Sequence, residues 1–193
     1  MKARDLMLKF DACREAVEWA GEMDVEEAWA KCERGDWMLW MYSRMHPQNV
    51  RELALAAGYC ASTVRHLVQN KHVLDAIDAV VGYGEGGDGV NAETVYNAEA
   101  AANATAQAAN LAATAPAYAA ANAAAAANAA VSNRIGINVA GYVCVYAANA
   151  AYAAHTSDAG SDAGSDAGSV VGMRKNQLET ADICRKYLSL TIL

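Results

Sequence analysis

From Asn91 onward the chain is built largely of alanine, and between Glu99 and Asp158 the one full charge is Arg134. Such a stretch has few ways to fold. Alanine is the strongest helix former because it loses no side-chain entropy, and bare methyl faces let helices approach closer than the usual ~8–10 Å. Pro116 cannot sit deep in a helix, and Thr114 just before it is an acceptable cap. One helix is therefore expected to end near Ala113 and another to start near Thr114. Ser132-Asn133-Arg134 with Gly136 suggests a further turn, and a third helix follows from Ile137 through His155.

The first half has a different texture and carries all four tryptophans. Phe10 to Ala20 places Phe10, Cys13, Val17 and Ala20 near one helical face, with Gly21 as a stop. Asp24 and Glu27 have the form of a capping box, opening a helix through Ala28, Trp29 and Cys32. Gly35 ends that segment, and Asp36 is placed to cap the next. Trp37, Trp40, Met41 and Met45 then form one apolar stripe, closed by Pro47. A helix from Gln48 to Gln69 and a short one from Val73 to Val81 complete this half. The run from Gly82 to Gly89 follows no strand and lacks the Gly-Lys-Ser/Thr ending of a phosphate loop, so it reads as a flexible connection. Trp37 and Trp40 read as core, because a Met and Trp stripe at helical spacing usually packs, and Asp36 reads as a structural helix cap.

These patterns predict an all-α fold: a single-domain helical bundle or a short α-solenoid of antiparallel helices, close-packed through alanine-rich faces. Residues 1–89 form the part with the Trp and Met core. Residues 90–193 form the alanine-rich helices and a C-terminal helix, packed with the first part as one domain. The net charge of -7 and a sequence pI near 5.0 argue against direct nucleic-acid binding by phosphate neutralisation. No window approaches ~18 uninterrupted apolar residues, which argues against a membrane span. The opening Met1-Lys2-Ala3-Arg4-Asp5 does not lead into an apolar h-region, so no signal peptide is expected. Cys13, Cys32, Cys60, Cys144 and Cys184 form no Cys-x-x-Cys pair, and the four histidines supply no metal-ligand spacing. Free, mostly buried thiols and a cytoplasmic protein without metal or cofactor are the expectation.

Two features of the second half bear on function. Tyr142, Tyr146 and Asn149 lie at i, i+4 and i+7 with Tyr152 at the edge of the same face, and Tyr118 and Asn122 form an i, i+4 pair. These groups either reach water beside close-packed alanine faces or converge into a cleft for a polar ligand or a partner segment. The repeat Ser157-Asp158-Ala159-Gly160, continued to Ser169, is either a flexible linker or a helix. In the second case Gly160, Gly164, Gly168 and Gly172 align as one ridge for close contact. The closing segment from Arg174 to Leu188 is amphipathic, with Leu178, Ala181, Ile183, Tyr187 and Leu188 available for docking.

Three stretches also carry a family resemblance: Cys13-Arg14-Glu15-Ala16-Val17-Glu18-Trp19, Glu26-Glu27-Ala28-Trp29-Ala30-Lys31-Cys32, and Arg34-Gly35-Asp36-Trp37-Met38-Leu39-Trp40. They resemble the opening of alanine-rich immunity proteins of bacterial polymorphic-toxin systems, a family with phage relatives. The resemblance implies an all-helical fold and a toxin-neutralising role in the cytoplasm of a bacterial host cell, and it carries over no catalytic residue. No Ser-His-Asp, Cys-His or paired-carboxylate set stands at recognisable spacing, so a non-enzymatic binder is expected. The leading expectation is an inhibitor of a toxin or defence effector protein. The alternative is a phage counter-defence protein that sequesters a nucleotide-like small molecule among the Tyr and Asn side chains or blocks a host defence protein. A homo-oligomer built on the glycine ridge is a third reading.

Overall fold

The computed structural model describes residues 1–67, 71–89, 91 and 165–190. Seven α-helices occur among them: α1 (Ala3–Lys9), α2 (Arg14–Ala20), α3 (Val25–Lys31), α4 (Gly35–Met45), α5 (Val50–Ser62), α6 (Lys71–Glu85) and α7 (Ser165–Tyr187). A 3₁₀ turn, Arg65–Leu67, follows α5. The described residues contain no strand, and one isolated antiparallel bridge joins Lys2 to Asp24. The fold is all-α.

Several expected boundaries move. The helix expected from Phe10 to Ala20 is instead the end of α1 and the whole of α2. Phe10 closes α1, and Asp11 takes a left-handed turn at φ 57° before α2 begins. Gly35 does not end a segment; it is the first residue of α4, with Arg34 as the N-cap. Asp36 is therefore inside the first turn, where its carboxylate makes no cap and faces Arg34 instead. The Asp24 side chain makes no cap bond either, and Glu27 is engaged by Lys31 at 2.6 Å. As expected, α4 stops just before Pro47. The helix expected from Gln48 to Gln69 is shorter, since α5 ends at Ser62 and the chain tightens into the 3₁₀ turn.

The largest correction concerns the glycine run. Gly82 and Gly84 are not connection but the last turn of α6. A Cβ on Gly84 would stand 2.7 Å from the backbone of Leu55, and one on Gly58 would stand 2.7 Å from Val81 Cγ2. The two contacts pair 55 with 84 and 58 with 81, so α5 and α6 run antiparallel in near backbone contact. Small residues at both crossing points permit it. Ala54, Ala56, Ala57 and Ala61 of α5 are all buried, so this packing uses the close-packed alanine surface that the composition implied.

The core has two lobes. One gathers Leu39 and Tyr42 of α4, the alanine face of α5, Val73, Ile77 and Val80 of α6, Cys184 of α7 and Leu188 just after it. The other gathers Leu6, Met7, Val17, Val25 and Ala28 of α1 to α3, with Met41 of α4. α4 is thus shared between them. The buried face of α4 is Met38, Leu39, Met41 and Tyr42; Trp37 and Trp40 are half-buried, one residue round from the face that the stripe suggested.

α7 reads differently from its sequence as well. Gly172, Asn176, Thr180, Cys184 and Leu188 face inward at a strict spacing of four, joined by Ala181, while Leu178 is exposed and Ile183 is half-buried. Polar partners explain the choice. Asn176 Nδ2 donates to Thr63 Oγ1 at 2.8 Å, the Cys60 thiol approaches the Thr180 carbonyl at 3.7 Å, and the Cys184 thiol approaches the Gly35 carbonyl at 3.6 Å. Tyr187 stacks on Tyr59 with centroids 4.7 Å apart. α7 therefore lies antiparallel to α5, and it crosses the start of α4 so closely that a Cβ on Gly35 would sit 2.6 Å from Thr180 Oγ1. Helix wins over linker for residues 165–172; residues 157–164 lie outside the described residues.

Candidate functional site

Where α7 leaves α5 it forms one wall of a groove whose other wall is α2, α3 and the start of α4. The groove has a volume of about 530 Å³. Its floor is apolar: Trp19, Met23 and Trp37 on one side, Val170, Met173 and Leu178 on the other. Local structure explains how each residue arrives there. Gly21 takes φ 49° and turns the chain out of α2, so that Trp19 and Met23 fall on the same side of the α2–α3 corner. Trp19 meets Trp37 at 5.7 Å between ring centroids with planes tilted by 58°, within the range of edge-to-face aromatic packing. A smaller apolar pocket of about 30 Å³, lined by Leu6, Met7, Val25, Met38 and Met41 among others, shares Trp19 and Trp37 with the groove, so the two indoles stand between the groove and the second lobe of the core.

A charged rim surrounds the floor. The Arg34 guanidinium donates to both Asp36 carboxylate oxygens at 2.9 and 2.8 Å, stacks over the Trp37 ring at 4.5 Å, and reaches Glu15 at 3.5 Å. The Asp36 pair holds the Arg34 pKa above its ordinary value. Arg174 pairs with Glu33 at 3.0 Å across the gap between α7 and the α3–α4 turn, and Lys31 pairs with Glu27 at 2.6 Å. Beneath the rim, burial pushes the Cys32 thiol up to about 11 against a weaker opposing bond to the Arg34 carbonyl, so it stays a neutral packing group. Arg185 of α7 donates to the Cys32 carbonyl at 2.7 Å, closing the end of α3 from below.

The chain matches no family model, no curated protein and no solved structure.

What the groove can do is set by its own chemistry. Among the described residues no group of three or more His, Cys, Asp or Glu is arranged to hold a metal ion. No helix there is long and apolar enough to cross a membrane. Of the residues singled out in the sequence, Trp37 lies in the groove wall, Asp36 anchors Arg34 beneath the rim, and Trp40 packs half-buried against the second lobe. Tyr118, Asn122, Tyr142, Tyr146, Asn149 and Tyr152 lie outside the described residues. Sequence reasoning missed Trp19, Arg34, Met173 and Leu178 as site residues. Position explains why: Trp19 looks like core until the Gly21 turn opens its edge, and Leu178 looks like core until Asn176 and Thr180 claim the buried face. The signal that could have found the groove is Val170-Val171 beside a run of small and polar residues, an apolar pair that the register of α7 leaves 51% and 66% exposed.

Proposed function

We propose that the protein is a non-catalytic binding protein, an immunity-type inhibitor that neutralises a toxin or effector protein by direct contact through this groove. The observation that carries the reading is an apolar floor of two tryptophans, two methionines and exposed aliphatic side chains, open to solvent and ringed by ion pairs. That composition matches interface cores, in which aromatic residues, Met and Arg are enriched and the rim is polar. Indole rings beside an Arg are also the usual energetic anchors of such contacts. The stretches that resemble alanine-rich immunity proteins supply five of the seven lining residues of one wall: Glu15, Trp19, Lys31, Arg34 and Trp37, with Met23 and Glu33 between them.

A nucleotide-like ligand finds less support at this site. Each cation that lines the groove already has a carboxylate partner: Lys31 with Glu27, Arg34 with Asp36 and Glu15, and Arg174 with Glu33. A phosphate would have to displace one of them.

The test is co-expression with toxin genes adjacent to the protein's own gene, followed by titration of the purified pair. A 1:1 complex that restores growth supports the reading. Failure of every neighbouring toxin to bind or to be neutralised refutes it.

A further inference from the structure

We infer that the free protein associates with a second copy of itself through this face. About a two-fold axis, α7 of each copy lies antiparallel along that of the other and lays Val171 onto the partner's Trp19–Trp37–Leu178 surface. The inference goes beyond the inhibitor role proposed above and does not depend on it: it names what covers the groove before any other protein does.

Three observations converge. The first is charge. Each copy carries a net charge of -7, so two copies repel except where their surfaces are locally balanced. The groove is such a place, because each of its cations is matched: Lys31 by Glu27, Arg34 by Asp36 and Glu15, Arg174 by Glu33. A strongly basic or strongly acidic occupant would leave charges of one sign unmatched, whereas a second copy brings both signs in equal measure. The Arg174–Glu33 pair spans the groove at 3.0 Å with both side chains more than half exposed. Across a two-fold axis, Arg174 of each copy can pair with the partner's Glu33, so two exposed pairs break and two form. Exposed pairs are individually weak, and the exchange is close to neutral.

The second is where the exposed apolar side chains lie. Among the described residues five large hydrophobic side chains are exposed, and three of them, Val170, Val171 and Leu178, belong to α7. Val170 and Leu178 line the groove, but Val171 does not. At about 100° per residue, Val171 falls beside Leu178 two turns on, so it stands on the crest of α7 at the groove's edge, 66% exposed. A hole and a knob thus adjoin on one face. That is what an isologous interface requires, since the same patch must serve both subunits.

The third is the side of α7 that remains free. Gly172, Asn176, Thr180 and Cys184 face the bundle, so the glycine side of the helix is already used within the chain. The edge left for another helix carries Val171, Arg174 and Leu178 at i, i+3 and i+7, the spacing at which two helices mesh along their length. Met23 and Met173 line the floor that receives it, and unbranched thioethers adapt to an inserted side chain.

The experiment is sedimentation equilibrium, with light scattering behind gel filtration, on the full chain from about 1 to about 200 μM. The mass is expected to rise with concentration from 20.3 kDa toward twice that value and to fall again on dilution. Val171→Ser with Leu178→Ser removes apolar surface without changing charge, and both positions are exposed, so thermal unfolding should be unchanged. Its dimer dissociation constant should rise at least about tenfold. Glu33→Arg alone, or Arg174→Glu alone, sets like charges against each other and should weaken the dimer severalfold. An equimolar mixture of those two variants should recover at least wild-type association, because a mixed dimer holds both opposite-charge contacts across the axis. A pair confined to one copy would gain nothing from mixing.

A chain that stays at 20.3 kDa up to the highest concentration overturns the inference and leaves the face to a different protein. So does a dimer indifferent to Val171→Ser/Leu178→Ser, or a mixture no more associated than its components. The two proposals fail separately. A strictly monomeric chain leaves the co-expression test of the inhibitor role untouched, and failure to neutralise any toxin leaves the dimer standing.

Discussion

Gly84 offers the sharpest test of how the bundle is held together, because two effects there have opposite signs. Alanine at a helical glycine gains at most about 1 kcal/mol of propensity, and less near a helix end. If residues 82–89 were a loose connection, Gly84→Ala would be neutral or mildly stabilising. In the fold, however, the new Cβ would lie 2.7 Å from the Cα, Cβ and N of Leu55, where ordinary contact begins at 3.4 Å. The atoms it meets are two backbone atoms and the Cβ that the backbone fixes, so no rotamer change relieves the clash, and α5 and α6 must separate by several tenths of an ångström. Overpacking of this kind costs about 1–3 kcal/mol, and contact with backbone places it at the upper end. The net effect is a loss of about 1–2 kcal/mol, which for a chain of this size lowers Tm by about 2–8 °C. Gly58→Ala should cost less, because its closest contact is Val81 Cγ2, the end of a side chain that can rotate. Calorimetric or circular-dichroism melts of the full-length wild type and both variants decide the matter. A Gly84→Ala variant that melts at or above wild type would refute the close-contact account of α5 and α6.

Further outcomes follow from single groups. Arg185→Met keeps most of the buried stem but removes the charged donor from the Cys32 carbonyl, and should cost about 1.5–3 kcal/mol by urea unfolding. Alkylation with iodoacetamide at pH 8, mapped by mass spectrometry, should label Cys13 well before Cys32, Cys60 or Cys184. Cys13 is exposed, the others are buried, and burial holds Cys32 at about 11; early labelling of Cys32 would contradict its placement. Stability should also fall in alkali. Burial, aided by the Glu52 carboxylate that accepts from its hydroxyl, lifts Tyr42 from 10.0 to about 12, and Cys32 rises from 9.0 to about 11. The folded state then holds protons that the unfolded chain releases, so this stabilisation is complete below pH 9 and is lost as pH rises toward 12. Urea midpoints that stay constant from pH 8 to pH 11 would count against both assignments.

How much of this was legible beforehand varies by residue. The helical class, the stop at Pro47 and the buried alanine face of α5 follow from local physics, because propensity, missing N–H groups and side-chain volume act within a few residues. Gly35, Gly58 and Gly84 did not yield to the same reasoning. A glycine in a sequence signals backbone freedom, whereas here each marks the point where a distant helix arrives, and that partner is invisible locally. α7 failed for a related reason: Leu178 and Ile183 outrank Asn176 and Thr180 on any hydrophobic scale, yet Thr63 accepts from Asn176 across the interface and the Gln177 carbonyl accepts from the Thr180 hydroxyl, so the polar stripe can turn inward. The groove inherits both difficulties, since it exists only where α7 crosses α4 at Gly35.

That crossing also bears on the tempo of binding. The two groove walls are fastened by the contact of Thr180 with Gly35 and by Arg185 on the end of α3, so their spacing has little room to open or close. Adjustment is left to side chains such as Met23 and Met173 rather than to hinges. On the binding role proposed above, a partner would meet a slot that needs little rearrangement, with little ordering cost on arrival. Differences between partners should appear in how long the complex survives rather than in how quickly it forms.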